Sequence, residues 1–240
     1  MSANAAPLIE ARGIDTYYGA SHVLRGVDFH VGRGETVSLL GRNGMGKTTL
    51  LRTLMGLVPA RAGAIWFDGK DVARWRPSAI ARAGVGFVPE GRGIFPNLSV
   101  EENLVFAERA GAGARRDWTR DAVYDLFPRL RERRANWGNQ LSGGEQQMLT
   151  IGRALMSNPS LLMVDEATEG LAPLVREDIW RTLALIAERG VAIVVVDKNL
   201  EDLKKLCRRH VILVKGEVVF EGSTAELAAR DDFVRSQLGL

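Results

Sequence analysis

The stretch Gly41-Arg42-Asn43-Gly44-Met45-Gly46-Lys47-Thr48-Thr49 constrains this chain more than any other feature of its sequence. It follows the compact apolar run Val37–Leu40 and precedes Leu50-Leu51-Arg52-Thr53-Leu54-Met55, which reads as a helix. The pattern G-x-x-x-x-G-K-[ST] between a strand and a helix is that of a loop wrapped around phosphates. Glycines let the backbone curl so that successive N–H groups point inward at phosphate oxygens, and the helix start adds the positive end of its dipole. In such a loop Lys47 bridges the β- and γ-phosphates of a nucleotide and the Thr48 hydroxyl ligates Mg²⁺. The competing reading is a glycine-rich turn with no ligand.

A second segment fits the first. Leu161-Leu162-Met163-Val164-Asp165-Glu166 reads as a buried strand ending in two carboxylates, with Asp165 placed to hold Mg²⁺ and Glu166 to polarise a water toward the γ-phosphate. Alone, a strand ending in Asp-Glu is weak evidence; downstream of a phosphate loop it becomes the loop's partner. Further short strands are predicted at Ala64–Phe67, which meets the turn signal Asp68-Gly69, and at Val85–Val88. From residue 160 onward, strands at Leu161–Val164, Ala192–Val196 and Val211–Val214 alternate with helical segments, the mark of a parallel α/β sheet. Between 90 and 150 the pattern is helical. Val123, Leu126, Phe127 and Leu130 line one face of a predicted helix as core packing, and Gly111-Ala112-Gly113-Ala114 reads as a loop. The economical architecture is an α/β core, residues 1–89 and 151–240, with a helical lobe, residues 90–150, inserted into it.

Leu141-Ser142-Gly143-Gly144-Glu145-Gln146-Gln147 then opens a helix through Met148, Ile151, Ala154 and Leu155, and Ser142 with the glycine amides makes a second anion site at a helix start. A phosphate loop, this LSGGEQQ run and the Asp-Glu strand, in that order, resemble the signature set of the ATP-binding-cassette (ABC) ATPases. The resemblance covers almost the whole chain. It implies a P-loop NTPase (RecA-like) α/β core with an antiparallel β subdomain and an inserted helical subdomain, with ATP and Mg²⁺ bound. In that family two ATPase subunits sandwich two ATP molecules, each between one subunit's phosphate loop and the other's signature helix. Carried over, residues Gly41, Arg42, Asn43, Gly44, Met45, Gly46, Lys47, Thr48 and Thr49 cradle the nucleotide, Ser142, Gly143, Gly144 and Glu145 face the nucleotide of the opposite subunit, and Tyr18 stacks on adenine. Thr48, Asp165 and Glu90 are the implied Mg²⁺ residues, with Glu166, Lys47 and Lys198 in catalytic roles.

More narrowly, the run from Val88-Pro89-Glu90-Gly91-Arg92 to Glu101-Glu102-Asn103-Leu104, and Glu169-Gly170-Leu171-Ala172-Pro173, resemble the second ATPase subunit of branched-chain amino-acid importers. The implied function is an ATP-binding and hydrolysing subunit of an importer for branched-chain or other hydrophobic amino acids. The implied partners are a second ABC ATPase subunit in a heterodimer, two transmembrane permease subunits and, indirectly, a solute-binding protein. Urea or amide import, a soluble non-transport ABC ATPase, and a poorly hydrolysing regulator are the alternatives. Several positions depart from the family pattern: Ala167-Thr168 replaces Pro-Ser, Ala172 replaces an aspartate, and Lys198 stands where most members have histidine. Lys198 either contacts the γ-phosphate or turns to solvent, Asp197 or Glu201. His22, His30 and His210 read as ordinary surface or core residues.

Composition supplies boundaries. With 240 residues, 32 basic and 29 acidic side chains and a net charge of +3, the chain offers no concentrated basic face for nucleic acid. Arg129, Arg131, Arg133 and Arg134 form its densest basic stretch, interrupted by Glu132, and read as a solvated helix end. Cys207 stands alone, which excludes an internal disulfide and suits a reducing compartment. The first residues lack a signal-peptide pattern and no uncharged apolar run approaches the ~20 residues of a membrane span. The expected location is cytoplasmic, peripheral on the inner face of the cell membrane.

Overall fold

Continuous apolar runs such as Ala192–Val196 alternate their side chains between two faces of a strand, so each face needs its own cover. The computed structural model, which describes residues 6–109, 111 and 116–239, provides both covers. Six strands form a sheet in the order β10 (Glu217–Ser223), β9 (Arg209–Val214), β3 (Thr36–Leu40), β8 (Ala192–Val196), β7 (Leu161–Asp165), β6 (Val85–Val88). All neighbours are parallel except the β9–β10 hairpin. On one face Leu161, Met163, Ala192, Val194, Val37 and Leu39 pack with Leu50, Leu51 and Leu54 of α1 (Lys47–Leu54). The same core takes in the inner face of a second, antiparallel sheet ordered β2 (Ser21–Val31), β1 (Ile9–Tyr18), β4 (Ala60–Phe67), β5 (Lys70–Asp71). On the opposite face Leu162, Val164, Ile193 and Val195 pack against helices.

Those helices are α3 (Val100–Ala107), α4 (Arg120–Leu126), α5 (Pro128–Glu132), α6 (Gly143–Leu155) and α7 (Pro173–Glu188); α2 (Pro77–Ala83) packs beside the other core. The polypeptide then closes through α8 (Leu200–Leu206), α9 (Thr224–Ala228) and α10 (Asp231–Leu238). The helices inserted before β7 therefore share one apolar core with the sheet, and α6 continues to Leu155, past residue 150. The predicted strands are present, several extended by one to four residues, and Asp68 and Gly69 form the β4–β5 turn at φ 50° and 73°.

Three differences from the sequence reading have physical causes. The helix expected through Val123 and Leu130 is two helices, because Pro128 bars its predecessor from helical geometry and Phe127 sits at φ −128°, ψ 75°. Strands β1 and β2 escape periodicity because register shifts, with Gly13 and Gly26 at positive φ, interrupt their alternation. Of the loop expected at 111–114, residues 112–114 lie outside the described residues. The arginine-rich stretch is an exposed surface in which Arg129 pairs with Glu132, Arg131 with Asp125 and Arg133 with Glu145.

His210, fully buried on β9, joins three elements: Ser38 Oγ on β3 lies 2.7 Å from its Nδ1, and Thr224 Oγ1 on α9 lies 2.9 Å from its Nε2. Burial, with a smaller push from Lys204, lowers its pKa from 6.5 to about 4. The neutral ring is favoured in the fold, so its stabilisation is complete above the unfolded-state pKa and is lost as pH falls toward 4. Unfolding free energy should therefore drop by up to about 3 kcal/mol across that window, a component absent from His210→Gln. Denaturant titrations giving identical pH slopes for the two proteins would contradict this.

Candidate functional site

The loop after β3 turns through Gly41 and Gly46. A Cβ on Gly41 would lie 2.3 Å from the Leu213 carbonyl oxygen, and Gly46, at φ 105°, is the left-handed residue that starts α1. A side chain at Gly41 would have to move backbone, and one at Gly46 would be strained by the positive φ. Gly46 offers no side-chain cap, so the first N–H groups of α1 remain available to an anion. The loop is braced from behind: the Gly216 N–H donates to the Met45 carbonyl, and Arg42 lies beside Gly239 at the end of α10. Lys47 bends back over the loop and donates from Nζ to the carbonyls of Gly41 (2.8 Å) and Arg42 (3.1 Å). Burial pushes its pKa down, while Glu166 and Asp165 oppose that shift.

Parallel pairing sets the far wall. Asp165 is in register with Val196, and the Glu166 N–H donates to the Val196 carbonyl at 2.8 Å, so the two strands end side by side. Glu166 leaves β7 at φ 47°, a left-handed conformation uncommon for a side chain of this size. Val23, Asn43, Gly44, Gly46, Lys47, Thr48, Thr49, Glu90 and Glu166 line one cleft of about 250 Å³. Asn43, Gly44, Gly46, Lys47, Thr48 and Thr49 of the predicted phosphate loop thus come together with Glu166 and Glu90, whereas Gly41, Arg42, Met45, Asp165 and Lys198 do not line the cleft. Tyr18, 45% exposed, stands at the tip of the β1–β2 hairpin, paired with Ser21, and Val23 on the same hairpin reaches the cleft.

Asp165 is 1% exposed, yet neither carboxylate oxygen accepts a hydrogen bond of good geometry. Burial raises its pKa and the neighbouring Thr48 hydroxyl draws it partly back. Buried, orphaned carboxylate oxygens beside a hydroxyl at a phosphate loop are hard donors of the kind Mg²⁺ takes, so these residues fit the ion. Glu90 is exposed, and its carboxylate approaches those of Glu166 and Glu169. Burial first, then Glu169, pushes the Glu166 carboxyl up to about 7, against the pull of Lys198 and Lys47.

The second predicted anion site is separate from this cleft. Ser142 caps α6: its Oγ accepts from the Glu145 N–H (3.3 Å) and its own N–H donates to Glu145 Oε2 (2.8 Å). The Glu145 carboxylate is thus engaged in the cap. Packing is close at Gly144, where a Cβ would meet Val175 at 2.7 Å, whereas at Gly143 it would meet only the movable Arg92 guanidinium, at 2.8 Å. None of residues 142–145 lines the phosphate cleft, so within one chain the two anion sites stay apart.

Of the protein partners expected for Lys198, neither Asp197 nor Glu201 is the one it takes. Its Nζ donates to Glu169 Oε1 at 2.5 Å and lies 3.9 Å from Glu166 Oε2, engaging neither Glu201 nor solvent alone. Asp197 instead accepts from Thr168 Oγ1. Glu169 carried no assigned role in the sequence; only the pairing of β7 with β8 brings it to Lys198.

Residues 24–169 match the family model for ABC transporters. The chain is 39% identical over 226 residues to the high-affinity branched-chain amino acid transport ATP-binding protein BraG of Pseudomonas aeruginosa, covering 94% of this chain and 97% of the relative. It is 31% identical over 235 residues to the lipopolysaccharide export system ATP-binding protein LptB of Escherichia coli, covering 96% and 97%. Among solved structures, an ATP-binding subunit of an ABC transporter superposes with a TM-score of 0.81 at 29% identity, covering 97% of this chain and all of that one. A nucleotide-free ATP-binding cassette, 21% identical, shares the fold with a TM-score of 0.82 over 98% and 99% of the two chains. From the strand ahead of the phosphate loop to the loop beyond Asp165 and Glu166, fold, site and sequence agree: the chain belongs to the ABC transporter family, as an ATPase.

Proposed function

We propose that this chain is the ATP-hydrolysing subunit of an importer for branched-chain or other hydrophobic amino acids, acting on the inner face of the cell membrane. The observation that carries the catalytic part is the convergence of Lys47, Thr48 and Glu166 on one cleft, with the orphaned carboxylate of Asp165 beside it. The solute class rests on relatives: BraG at 39% identity, and LivF of Archaeoglobus fulgidus, described as a branched-chain amino acid transport ATP-binding protein, at 32%. Among the described residues no helix is long and apolar enough to cross a membrane, so a membrane role calls for permease partners. A surface suited to them lies beside Glu90. Phe106 and Leu57, 71% and 50% exposed, flank a groove of about 390 Å³ that also includes Pro89 and Gly93, next to the segment that reaches the ATP cleft.

In this reading the phosphate-loop N–H groups hold the phosphates, Tyr18 stacks on adenine, and Lys47 exchanges its two loop carbonyls for phosphate oxygens. Thr48 and Asp165, with Glu90 nearby, would hold Mg²⁺, which would neutralise charge on the nucleotide phosphates when bound. The Glu166 carboxylate orients a water and accepts its proton as the water oxygen bonds to the γ-phosphorus and the bond to the β-phosphate oxygen breaks. ADP and phosphate leave. Closure of the subunit pair uses the start of α6, where the Gly143 and Gly144 N–H groups, the first two of the helix, remain free for the opposite subunit's nucleotide. Lys198 stands at the rim as a cation for the γ-phosphate.

Glu166→Gln should lower ATP turnover by about 100-fold or more while ATP binding persists, since the loop, Lys47 and Asp165 are untouched. In vesicles containing the complete transporter it should also stop leucine uptake; turnover above about a tenth of wild type, or transport outward, would contradict the reading. Lys198→Ala should slow turnover in the assembled complex, and unchanged rates would remove the lysine from phosphate contact. The purified complex should contain this chain beside a different ATPase subunit on two permease subunits, and a mass matching two copies of this chain would refute the heteromer.

A further inference from the structure

The loops leaving β7 and β8 are fastened together at the rim of the cleft. The Glu166 N–H donates to the Val196 carbonyl, Thr168 Oγ1 donates to Asp197 Oδ2, and Lys198 Nζ donates to Glu169 Oε1. The first contact joins backbone groups, and the second joins two part-buried side chains. The third joins two side chains each about half exposed, at 54% and 50%. Exposed ion pairs of this kind contribute little to stability. Glu169 also lies close to the inner carboxylate: one of its oxygens is within 4.8 Å of a carboxylate oxygen of Glu166, whose side chain is only 12% exposed. One glutamate therefore stands beside the carboxylate that handles water and binds the lysine at the rim.

We infer that Glu169 is a positioning residue for hydrolysis: by binding Lys198 it holds the ammonium at the rim, off the Glu166 carboxylate and directed toward the phosphate. The inference rests on the catalytic reading of Glu166 and Lys198 above. Lys198 Nζ lies 3.9 Å from Glu166 Oε2, and Glu169 is the nearer anion. A lysine on a four-carbon stem has no preferred orientation of its own and takes its direction from the anion it meets. Without the Glu169 charge the strongest remaining anion within reach is Glu166. Lys198 then closes on the oxygens that must face the attacking water, and the phosphate loses its rim cation in the same movement. Glu169 thus sets which of two partners the lysine takes.

The test is a double-mutant cycle on the full-length chain assembled with its membrane partners, using Glu169→Gln, Lys198→Gln and the pair. Glu169→Gln should lower kcat by about fivefold or more and leave ATP Kd within about twofold, because the phosphate loop is unaffected. In the Lys198→Gln background the same change should cost less than about twofold, since the lysine it governs is gone. Melting temperatures should agree within about 2 °C, as an exposed ion pair requires. Full activity of Glu169→Gln, an equal loss in both backgrounds, or a loss that appears in Kd overturns the inference. If the wild-type complex binds ATP without turnover, the catalytic reading itself fails, and that result is distinct from each of these.

Discussion

The backbone ladder joining β3, β8 and β7 is the constraint on which the site depends. Thr36 pairs with Ile193 and Asp165 with Val196, so three parallel strands end along one edge of the sheet. Each strand then delivers its following residues to the same place: the phosphate loop from β3, Asp165 and Glu166 from β7, Asp197 and Lys198 from β8. A slip of one residue in β7 would turn Asp165 to the opposite face and take its carboxylate away from Thr48. Chemistry collects outside the carboxyl ends of parallel strands for this geometric reason.

Holding that ladder rigid is the work of two cores. Side chains alternate along β7 and β8, so Leu162, Val164, Ile193 and Val195 belong to the helical side while Leu161, Met163, Ala192 and Val194 belong to the side shared with α1 and the antiparallel sheet. The phosphate loop lies over the second core and the signature helix over the first. Movement of one relative to the other must pass through the sheet or through the segment at Pro89–Gly93, which borders both the ATP cleft and the exposed groove near Phe106.

Local order is given up where the chemistry lies. Asp165 keeps two buried oxygens without well-formed hydrogen bonds, and Glu166 adopts a left-handed backbone. Each feature is unfavourable in isolation, on the order of 1–3 kcal/mol. They persist because strands buried on both faces leave the edge residues no alternative course.

Much of this was legible in the order of residues. A phosphate loop can be read from sequence because its requirements are local: glycines where the backbone must turn left or approach another chain segment, a lysine and a hydroxyl at the helix start. The short strands were equally legible, since unbroken apolar runs bounded by turns have few other solutions. What lay beyond reach depended on contacts between distant segments. The bulged strands β1 and β2 hid their alternation, Pro128 divided a helix whose apolar stripe continued across it, and the Glu145 carboxylate was claimed by the α6 cap. Above all, Lys198 had its neighbours in sequence as candidate partners, whereas its partner is Glu169. Sequence determined which loop has the shape and donors for phosphate; tertiary structure decided which side chains meet around it, because hydrogen-bonded register between strands far apart in the chain, not spacing along it, places one loop against another.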